Sequence, residues 1–164
     1  MLRGLKVRLN TFFINRVYVG TRYFAAKRRC LRRLGHQVGE NTKVVEPVYC
    51  TGKLCIGEEC WIGKNFTVNG NGTVVIGDRC DIGPEVTFET GGHKIGTAQR
   101  RAGVGQTFTQ TVGSGCWIGG RSTVCNETEI SAGSVVAACA CVVKNVPANV
   151  LVGGVPAKII KELT

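Results

Sequence analysis

The sequence predicts an all-β fold, a parallel β-helix of about five coils with a basic helical extension before it and a short helix after it. Two observations carry this prediction. Apolar side chains recur at every sixth residue, a period that fits neither an α-helix nor an ordinary strand. Small residues recur four places after the apolar ones. The 164 residues therefore form one repetitive domain with a terminal extension.

The apolar repeat occupies fifteen positions, and all but one of them are aliphatic or aromatic. They are Val38, Val44, Cys50, Ile56, Ile62, Val68, Ile76, Ile82, Phe88, Val112, Ile118, Val124, Ile130, Val136 and Val142. The small residues are Thr42, Cys60, Cys80, Cys116, Ser122, Thr128, Ser134 and Ala140. Each six-residue unit predicts one short strand and a corner, with both kinds of side chain pointing inward. Glycine often follows the apolar residue, where we expect it to supply a corner with positive φ.

Residues 1–34 precede the repeat and are predicted to be helical. They contain ten Lys or Arg and no acidic residue, whereas the rest of the chain contains eleven of each and is neutral. Aromatic side chains alternate with these basic ones. Two interpretations stay open: a solvated basic cap on the end of the β-helix, or a segment that contacts an anionic membrane surface or glycan. We expect no nucleic-acid partner, because no binding motif accompanies the charge.

No apolar run approaches the roughly 20 residues of a membrane-spanning helix, and the N-terminus does not resemble a signal peptide. We therefore expect a cytoplasmic protein that can lie at the inner face of the membrane. Four of the nine cysteines occupy inward repeat positions, where a thiol acts as a small apolar group. With no Cys-x-x-Cys pair and only two histidines, His36 and His93, no metal site is expected.

The repeat breaks twice between residues 35 and 147, and a functional site is expected at such breaks. The larger break predicts a polar, glycine-rich loop over residues 89–111, with His93 at its base. Imidazole is suited to accept a proton near neutral pH. The smaller break contains Asn69 and Asn71, which form either an acceptor-binding corner or an ordinary Asn-Gly turn.

Four segments of the second half resemble the hexapeptide-repeat O-acetyltransferases, especially the maltose, galactoside and nodulation-type sugar enzymes and their capsular polysaccharide relatives. They are Ile76-Gly-Asp-Arg-Cys-Asp-Ile-Gly-Pro, Thr90-Gly-Gly-His93, Cys116-Trp-Ile-Gly-Gly, and Val142-Val-Lys-Asn-Val-Pro followed by Gly153-Gly-Val-Pro-Ala-Lys-Ile-Ile-Lys-Glu-Leu. The resemblance implies a left-handed β-helix, a homotrimer with sites between subunits, and acetyl-CoA as the donor. It also implies a C-terminal loop and helix over residues 148–164.

The resemblance implies a role for each of several residues. His93 would be the general base and Asn69 would contact the acceptor. The acetyl-CoA site would consist of Trp117, Gly119, Gly120, Ala138, Lys144, Lys158 and Lys161. Lysine stands at the last two positions, where the family often has arginine; it keeps the charge and loses bidentate geometry.

The expected function is therefore transfer of an acetyl group from acetyl-CoA to a saccharide hydroxyl. The basic, aromatic N-terminal segment resembles acetyltransferases of surface polysaccharide synthesis and favours an acceptor of that kind. An antibiotic or other small-molecule acetyltransferase remains an alternative, as does a non-catalytic β-helix scaffold. A γ-type carbonic anhydrase is excluded, because it needs three zinc-binding histidines. Serine acetyltransferase is disfavoured, because it should carry a larger helical domain and a second catalytic histidine.

Overall fold

The computed structural model describes residues 2–164. Met1 and the side chains of Leu2 and Arg3, which belong to the predicted basic extension, lie outside the described residues. The extension is helical, as predicted: α1 spans Leu2–Phe12, a π-helical turn spans Phe13–Val17, and α2 spans Phe24–Arg33. No helix within residues 2–164 is long and apolar enough to cross a bilayer.

Nineteen strands follow the helices. The first nine are β1 (Gln37–Val38), β2 (Lys43–Val44), β3 (Val48–Cys50), β4 (Lys53–Ile56), β5 (Trp61–Ile62), β6 (Phe66–Asn69), β7 (Thr73–Ile76), β8 (Asp81–Ile82) and β9 (Thr87–Glu89). The others are β10 (Gly91–Ile95), β11 (Ala102–Thr107), β12 (Thr109–Val112), β13 (Trp117–Ile118), β14 (Thr123–Cys125), β15 (Glu129–Ile130), β16 (Val135–Val136), β17 (Cys141–Val142), β18 (Val150–Gly153) and β19 (Lys158–Glu162).

Most of these strands form a left-handed β-helix with three faces. Face A has the order β1-β4-β7-β12-β15, face B has β2-β5-β8-β13-β16-β18-β19, and face C has β3-β6-β9-β14-β17. Within the stack the pairing is parallel, and successive strands of one face belong to successive coils. Five complete coils result, which agrees with the prediction, and Val146 and β18 begin a sixth.

The inward positions are those that the repeat predicts. Every apolar repeat residue is buried except Cys50, which is half-buried, and every small repeat residue is buried. Some of the small residues also form hydrogen bonds. The Cys60 and Cys80 thiols and the Ser134 hydroxyl each donate to a corner carbonyl of the next coil. Carbonyls that the strand ladders leave free are thereby satisfied. All nine cysteines lie in the described part of the chain and are free thiols.

The role predicted for the corner glycines is wrong. Gly57 and Gly63, which directly follow apolar repeat residues, do not have positive φ. They are needed because the coils stack closely: a Cβ on Gly63 would lie 2.6 Å from the carbonyl carbon of Gly83. Positive φ instead occurs at residues three places after the apolar one, including Asn41, Glu59 and Asn65. The corner therefore turns two residues later than the glycine pattern suggested.

The predicted C-terminal helix is also wrong. Residues Lys158–Glu162 form β19, which runs antiparallel to β18. Gly154, with φ of +97°, begins the reversal between the two strands. The β18 strand would otherwise leave a row of unpaired backbone groups at the end of face B. The β-branched pair Ile159-Ile160 suits this pairing.

The predicted polar loop is largely a β-hairpin. Strands β10 and β11 pair antiparallel, with a register shift between His93 and Ile95. Hydrogen bonding of Phe108 N–H to the Thr90 carbonyl, at 2.9 Å, closes the base of this hairpin. Residues Thr109–Val112 already belong to β12 on face A. The excursion is therefore shorter than residues 89–111 and more ordered than a loop.

Polar contacts, including the following two sets, hold the helical extension against the first coil. The Asn15 side chain makes hydrogen bonds of 3.1 Å with both the N–H and the carbonyl of Val48. The fully buried Lys27 forms an ion pair with Glu46 and donates to the carbonyl of Gly20, whose N–H in turn donates to Glu46. These contacts hold the π-helical turn and α2 against the end of the β-helix.

Candidate active site

His93 lies on β10. Its imidazole is exposed to solvent and forms a hydrogen bond with the facing strand, β11. Its Nδ1 atom is 2.9 Å from the carbonyl oxygen of Gly103. A carbonyl only accepts hydrogen bonds, so Nδ1 carries the proton in the neutral ring. The Nε2 atom then keeps its lone pair. This arrangement gives the ring a defined orientation and leaves one nitrogen able to accept a proton.

The base of the hairpin is anchored to the coil below it. The buried Thr90 donates to the carbonyl of Asn69 through its N–H, at 2.8 Å, and through its hydroxyl, at 2.6 Å. Its hydroxyl oxygen also accepts from the N–H of Gly72, at 3.1 Å. These hydrogen bonds hold the base of the hairpin against the corner that contains Asn69. His93 follows three residues further along the chain.

A second anchor is Gln110, which points into the prism and is fully buried. Its Nε2 atom lies within 3.1 Å of the carbonyl oxygens of Glu89, Val124 and Asn126. The side-chain amide of Gln110 therefore joins β9, which precedes the hairpin, to β14 in the next coil. Sequence reasoning missed this residue, although a Gln at an inward-facing strand position was a visible signal.

Asn69 is exposed at the end of β6, and its Nδ2 atom donates to Glu89 Oε1 at 2.9 Å. The two residues are in register on face C. Glu89 was not among the predicted site residues. A spacing of 20 residues, one 18-residue coil plus the two-residue slip, was the signal that could have identified it. The structure therefore places Asn69, Glu89 and the His93 hairpin at one corner, where face C meets face A.

Gly103 is a positioning residue for His93, and its replacement tests that arrangement. A Cβ on Gly103 would lie 2.8 Å from the Lys94 carbonyl oxygen, whereas a Cβ on Gly105, two residues along the same strand, would meet nothing within 4 Å. We expect Gly103→Ala to shift β11 away from β10 and lower kcat about tenfold with little change in KM for acetyl-CoA. Gly105→Ala is the matched control and should retain wild-type kcat. Equal activities for the two variants would contradict the positioning role.

The residues predicted for acetyl-CoA lie mostly at a different corner, where face B meets face C. A Cβ on the buried Gly119 would lie 2.4 Å from the N atom of Ala138, so these two coils touch there. Gly120 and Ala138 remain accessible beside this contact. Small residues continue along the corner to Gly153, which lies against Ala137. These residues form a row of small side chains along the corner, the small-residue row.

Trp117 and the C-terminal lysines lie on or beside face B. Trp117 is 58% exposed. It is in register with Val135 of the next strand on face B, and the same line of paired residues continues through Leu151 to Lys161. Three rungs at roughly 4.8 Å place Trp117 and Lys161 about 14 Å apart. Lys158 pairs with Gly153 at the end of the small-residue row. Both lysines are exposed.

A single chain does not bring the predicted donor and acceptor residues together. His93 and Asn69 lie at the corner between faces C and A, as does the exposed Lys144, which follows β17. Gly120 and Ala138 lie at the other edge of face C. The three-residue strand β9 alone spans about 10 Å of that separation. Within one chain the two sets therefore remain apart.

Exposed apolar side chains occur on both hairpins. Ile95 and Val104, on the β10–β11 hairpin, are 88% and 73% exposed. Val155, Ile159 and Ile160 are exposed at the β18–β19 hairpin. Apolar residues this exposed are typical of surfaces that contact another molecule. Among the described residues, no cluster of three or more His, Cys, Asp or Glu side chains is arranged to hold a metal ion.

The fold and these features define a class: a left-handed β-helix whose coil is interrupted by a hairpin that carries an oriented histidine. No protein-family model matches the chain. It is 36% identical to galactoside O-acetyltransferase of Escherichia coli (strain K12) over 77% of this chain and 63% of that protein. It is 31% identical to the putative colanic acid biosynthesis acetyltransferase WcaF of the same organism, over 80% and 72% of the respective chains.

Solved structures give the same result. The chain superimposes on a hexapeptide-repeat acetyltransferase of Vibrio cholerae O1 biovar eltor, complexed with acetyl-CoA, with a TM-score of 0.84 and 29% identity. The match covers 99% of this chain and 88% of that one. The chain belongs to the hexapeptide-repeat acetyltransferase family. It spans less than two thirds of the length of the E. coli galactoside enzyme.

Proposed function

We propose that the protein transfers the acetyl group of acetyl-CoA to a hydroxyl of a saccharide, with His93 as the general base. The observation that carries this proposal is the hydrogen bond from His93 Nδ1 to the Gly103 carbonyl, because it leaves Nε2 free to take a proton. Relatives named as sugar and colanic acid acetyltransferases support the acceptor class. The V. cholerae relative bound to acetyl-CoA supports the donor.

The chemistry needs no covalent enzyme intermediate. Nε2 of His93 removes the proton from the acceptor hydroxyl while the hydroxyl oxygen attacks the thioester carbon of acetyl-CoA. The carbon–sulfur bond then breaks, the sugar ester forms, and the proton on the imidazole passes to the departing CoA thiolate. Holding both substrates in one groove supplies much of the rate enhancement.

We propose that the small-residue row is the floor of a channel in which acetyl-CoA lies on one subunit. Gly120 and Ala138 would contact the pantetheine arm, Gly119 would keep the channel floor close-packed, and Trp117 would border the site on face B. The exposed ammonium groups of Lys158 and Lys161 would meet the nucleotide phosphates at the end of the channel. Lys144 would approach the donor from the neighbouring subunit's corner.

The two C-terminal lysines give a direct test of this donor orientation. We expect Lys158→Ala combined with Lys161→Ala to raise the Kd for acetyl-CoA about 3- to 30-fold, because each exposed ion pair contributes little. The loss should shrink as salt rises. Binding of acetyl-pantetheine, which lacks the nucleotide, should be unchanged, and Lys53→Ala on face A is the matched control. A similar loss for both ligands would contradict the assignment.

We propose a homotrimer, because the donor and acceptor corners lie at opposite edges of face C within one chain. Packing around a threefold axis would bring the His93 corner of one subunit to the channel of its neighbour. It would also cover Ile95 and Val104, which are exposed in the single chain.

We propose that the acceptor belongs to surface polysaccharide synthesis and that the enzyme works in the cytoplasm, at the inner face of the membrane. The nine free thiols fit a reducing compartment. Leu5, Leu9 and Phe12 share one exposed face of α1, at helical spacing, with the basic Lys6 and Arg8 beside it. An apolar stripe flanked by cations suits an anionic bilayer surface.

Vesicle sedimentation tests the membrane proposal. We expect Leu9→Glu to lose binding to vesicles that contain phosphatidylglycerol, because it places a charge in the apolar stripe. Val7→Glu makes the same charge change on the opposite side of α1 and should retain most binding. Equal binding by the two variants, or no binding by the wild type, would reject the bilayer as the partner of this stripe.

The central test of the proposed function combines acetyl-CoA calorimetry with light scattering and an acceptor screen. One acetyl-CoA bound per subunit of a trimer, with CoA release stimulated by saccharides, is the expected result. A folded protein that binds no acetyl-CoA would instead support the non-catalytic scaffold.

A further inference from the structure

We propose that Glu89 and Asn69 form an acceptor subsite that selects a neutral, polyhydroxylated sugar and rejects one with an anionic substituent at the same place. This inference rests on the proposed function, because it names the class of acceptor for the site that contains His93. The relevant observation is the Asn69–Glu89 hydrogen bond at the base of the histidine hairpin.

The hydrogen bond decides which atoms face the ligand. An ionised carboxylate only accepts hydrogen bonds, so the Asn69 amide must turn its Nδ2 toward Glu89 Oε1. Asn69 Oδ1 and Glu89 Oε2 take no part in this hydrogen bond. Neither atom has a hydrogen-bond donor among the residues that the structure describes. The pair therefore has two acceptor atoms available for a ligand, which suits the hydroxyl donors of a pyranose.

The negative charge of Glu89 is not neutralised by a neighbouring cation. None of the ion pairs found in the described part of the chain includes it. Cys125 follows Glu89 in register on face C. Burial, together with the nearby Cys141 thiol and the charge of Glu89, raises the pKa of Cys125 to about 11. An anionic group on the acceptor would meet the same repulsion.

The subsite is within reach of the proposed base. His93 is four positions after Glu89 in the chain, so their Cα atoms are at most about 14 Å apart. Thr90 ties the segment between them to the Asn69 backbone. The Cα of Gly70 lies 3.6 Å from where a Cβ on Gly91 would stand, so the Asn69 corner and the hairpin base are packed together. A sugar ring held by Glu89 and Asn69 can thus present another hydroxyl to His93.

The test compares wild type, Glu89→Gln and the matched control Glu127→Gln. Glu127 is an exposed carboxylate at the corner between faces C and A, one coil further along the β-helix. Binding of methyl α-D-glucopyranoside and methyl α-D-glucopyranosiduronate is measured by saturation-transfer NMR in the presence of CoA. We expect wild type and Glu127→Gln to favour the neutral sugar about tenfold or more. Glu89→Gln should bring the two affinities within about threefold.

Each result has one meaning. An unchanged preference in Glu89→Gln, or wild-type protein that binds neither sugar or prefers the uronate, overturns the inference. Because binding is measured without turnover, the inference and the proposed function can fail separately. A selective protein that does not release CoA from acetyl-CoA would reject the transferase reaction and keep the subsite. In an active enzyme, Glu89→Gln should change KM for the acceptor far more than kcat.

Discussion

Replacement of His93 by alanine is expected to lower kcat for acetyl transfer by about 10²- to 10⁴-fold, the range associated with loss of a general base. The Kd for acetyl-CoA should change little, because the proposed contacts to its pantetheine arm and phosphates come from other residues. The melting temperature should also be preserved, since the side chain is exposed and makes one hydrogen bond. Single-turnover assays with saturating acetyl-CoA measure the chemical step directly.

The neighbouring residue provides the control for this experiment. Lys94→Ala truncates an exposed side chain on the same strand and should retain wild-type turnover. His93→Gln is also informative, because it can keep the hydrogen bond to Gly103 but cannot accept a proton near neutral pH. We expect it to be as inactive as His93→Ala. Full turnover in either His93 variant would remove this residue from the mechanism.

Lys27→Met is expected to have the largest effect on stability, lowering the free energy of unfolding by about 3–5 kcal/mol. Lys27 is 0% exposed, and its ammonium group lies beside Glu46 and the Gly20 carbonyl. Removing the cation leaves a buried carboxylate that only backbone N–H groups, including that of Gly20, stabilise. Urea denaturation measures the change, and Lys53→Met on the exposed side of β4 should cost much less.

A double variant separates the cost of a broken ion pair from the value of the intact one. Lys27→Met combined with Glu46→Gln removes both charges and should recover much of the lost stability. If the double variant is as unstable as the sum of the single variants, the two side chains do not act as a pair.

The same ion pair predicts how stability depends on pH. Burial opposes ionisation of Glu46, but hydrogen bonds from Lys27 and from backbone N–H groups outweigh it and hold the pKa of Glu46 below its usual value. A lowered folded-state pKa stabilises the protein at pH values above the unfolded-state pKa. This contribution is lost as the pH falls through the folded-state value. Lys27→Met should therefore flatten the acid limb of the stability profile.

The sequence predicted what the six-residue period controls and little of what lies at the corners. The inward side chains follow directly from the period, because each strand must bury the same face on every coil. The position of the turn did not follow, since glycine at the corner marks close stacking and the positive φ falls on residues such as Asn65 and Glu85. The C-terminal strand β19 was missed because its pairing depends on a free strand edge that only the stacked fold creates.

The candidate site was likewise predicted only in part from the sequence. His93 stood out by residue type and by its place in an interruption. Glu89 did not, because a glutamate at an outward strand position is ordinary until its pairing with Asn69 is known. The separation of the two corners within one chain was also invisible to the sequence, which gives the order of residues and not the face on which each of them lies.

Both lengthened turns of the β-helix occur at the same edge, on adjacent coils. The corner with the extra two residues joins β6 to β7, and the hairpin leaves between β9 and β12, one coil further on. Flat faces tolerate no insertion, because an added residue would turn every following side chain over. Turn length at this edge can vary while the register of the stack is kept. New acceptor preferences can therefore arise by exchange of two neighbouring turns, without rebuilding the part of the protein that we propose holds the donor.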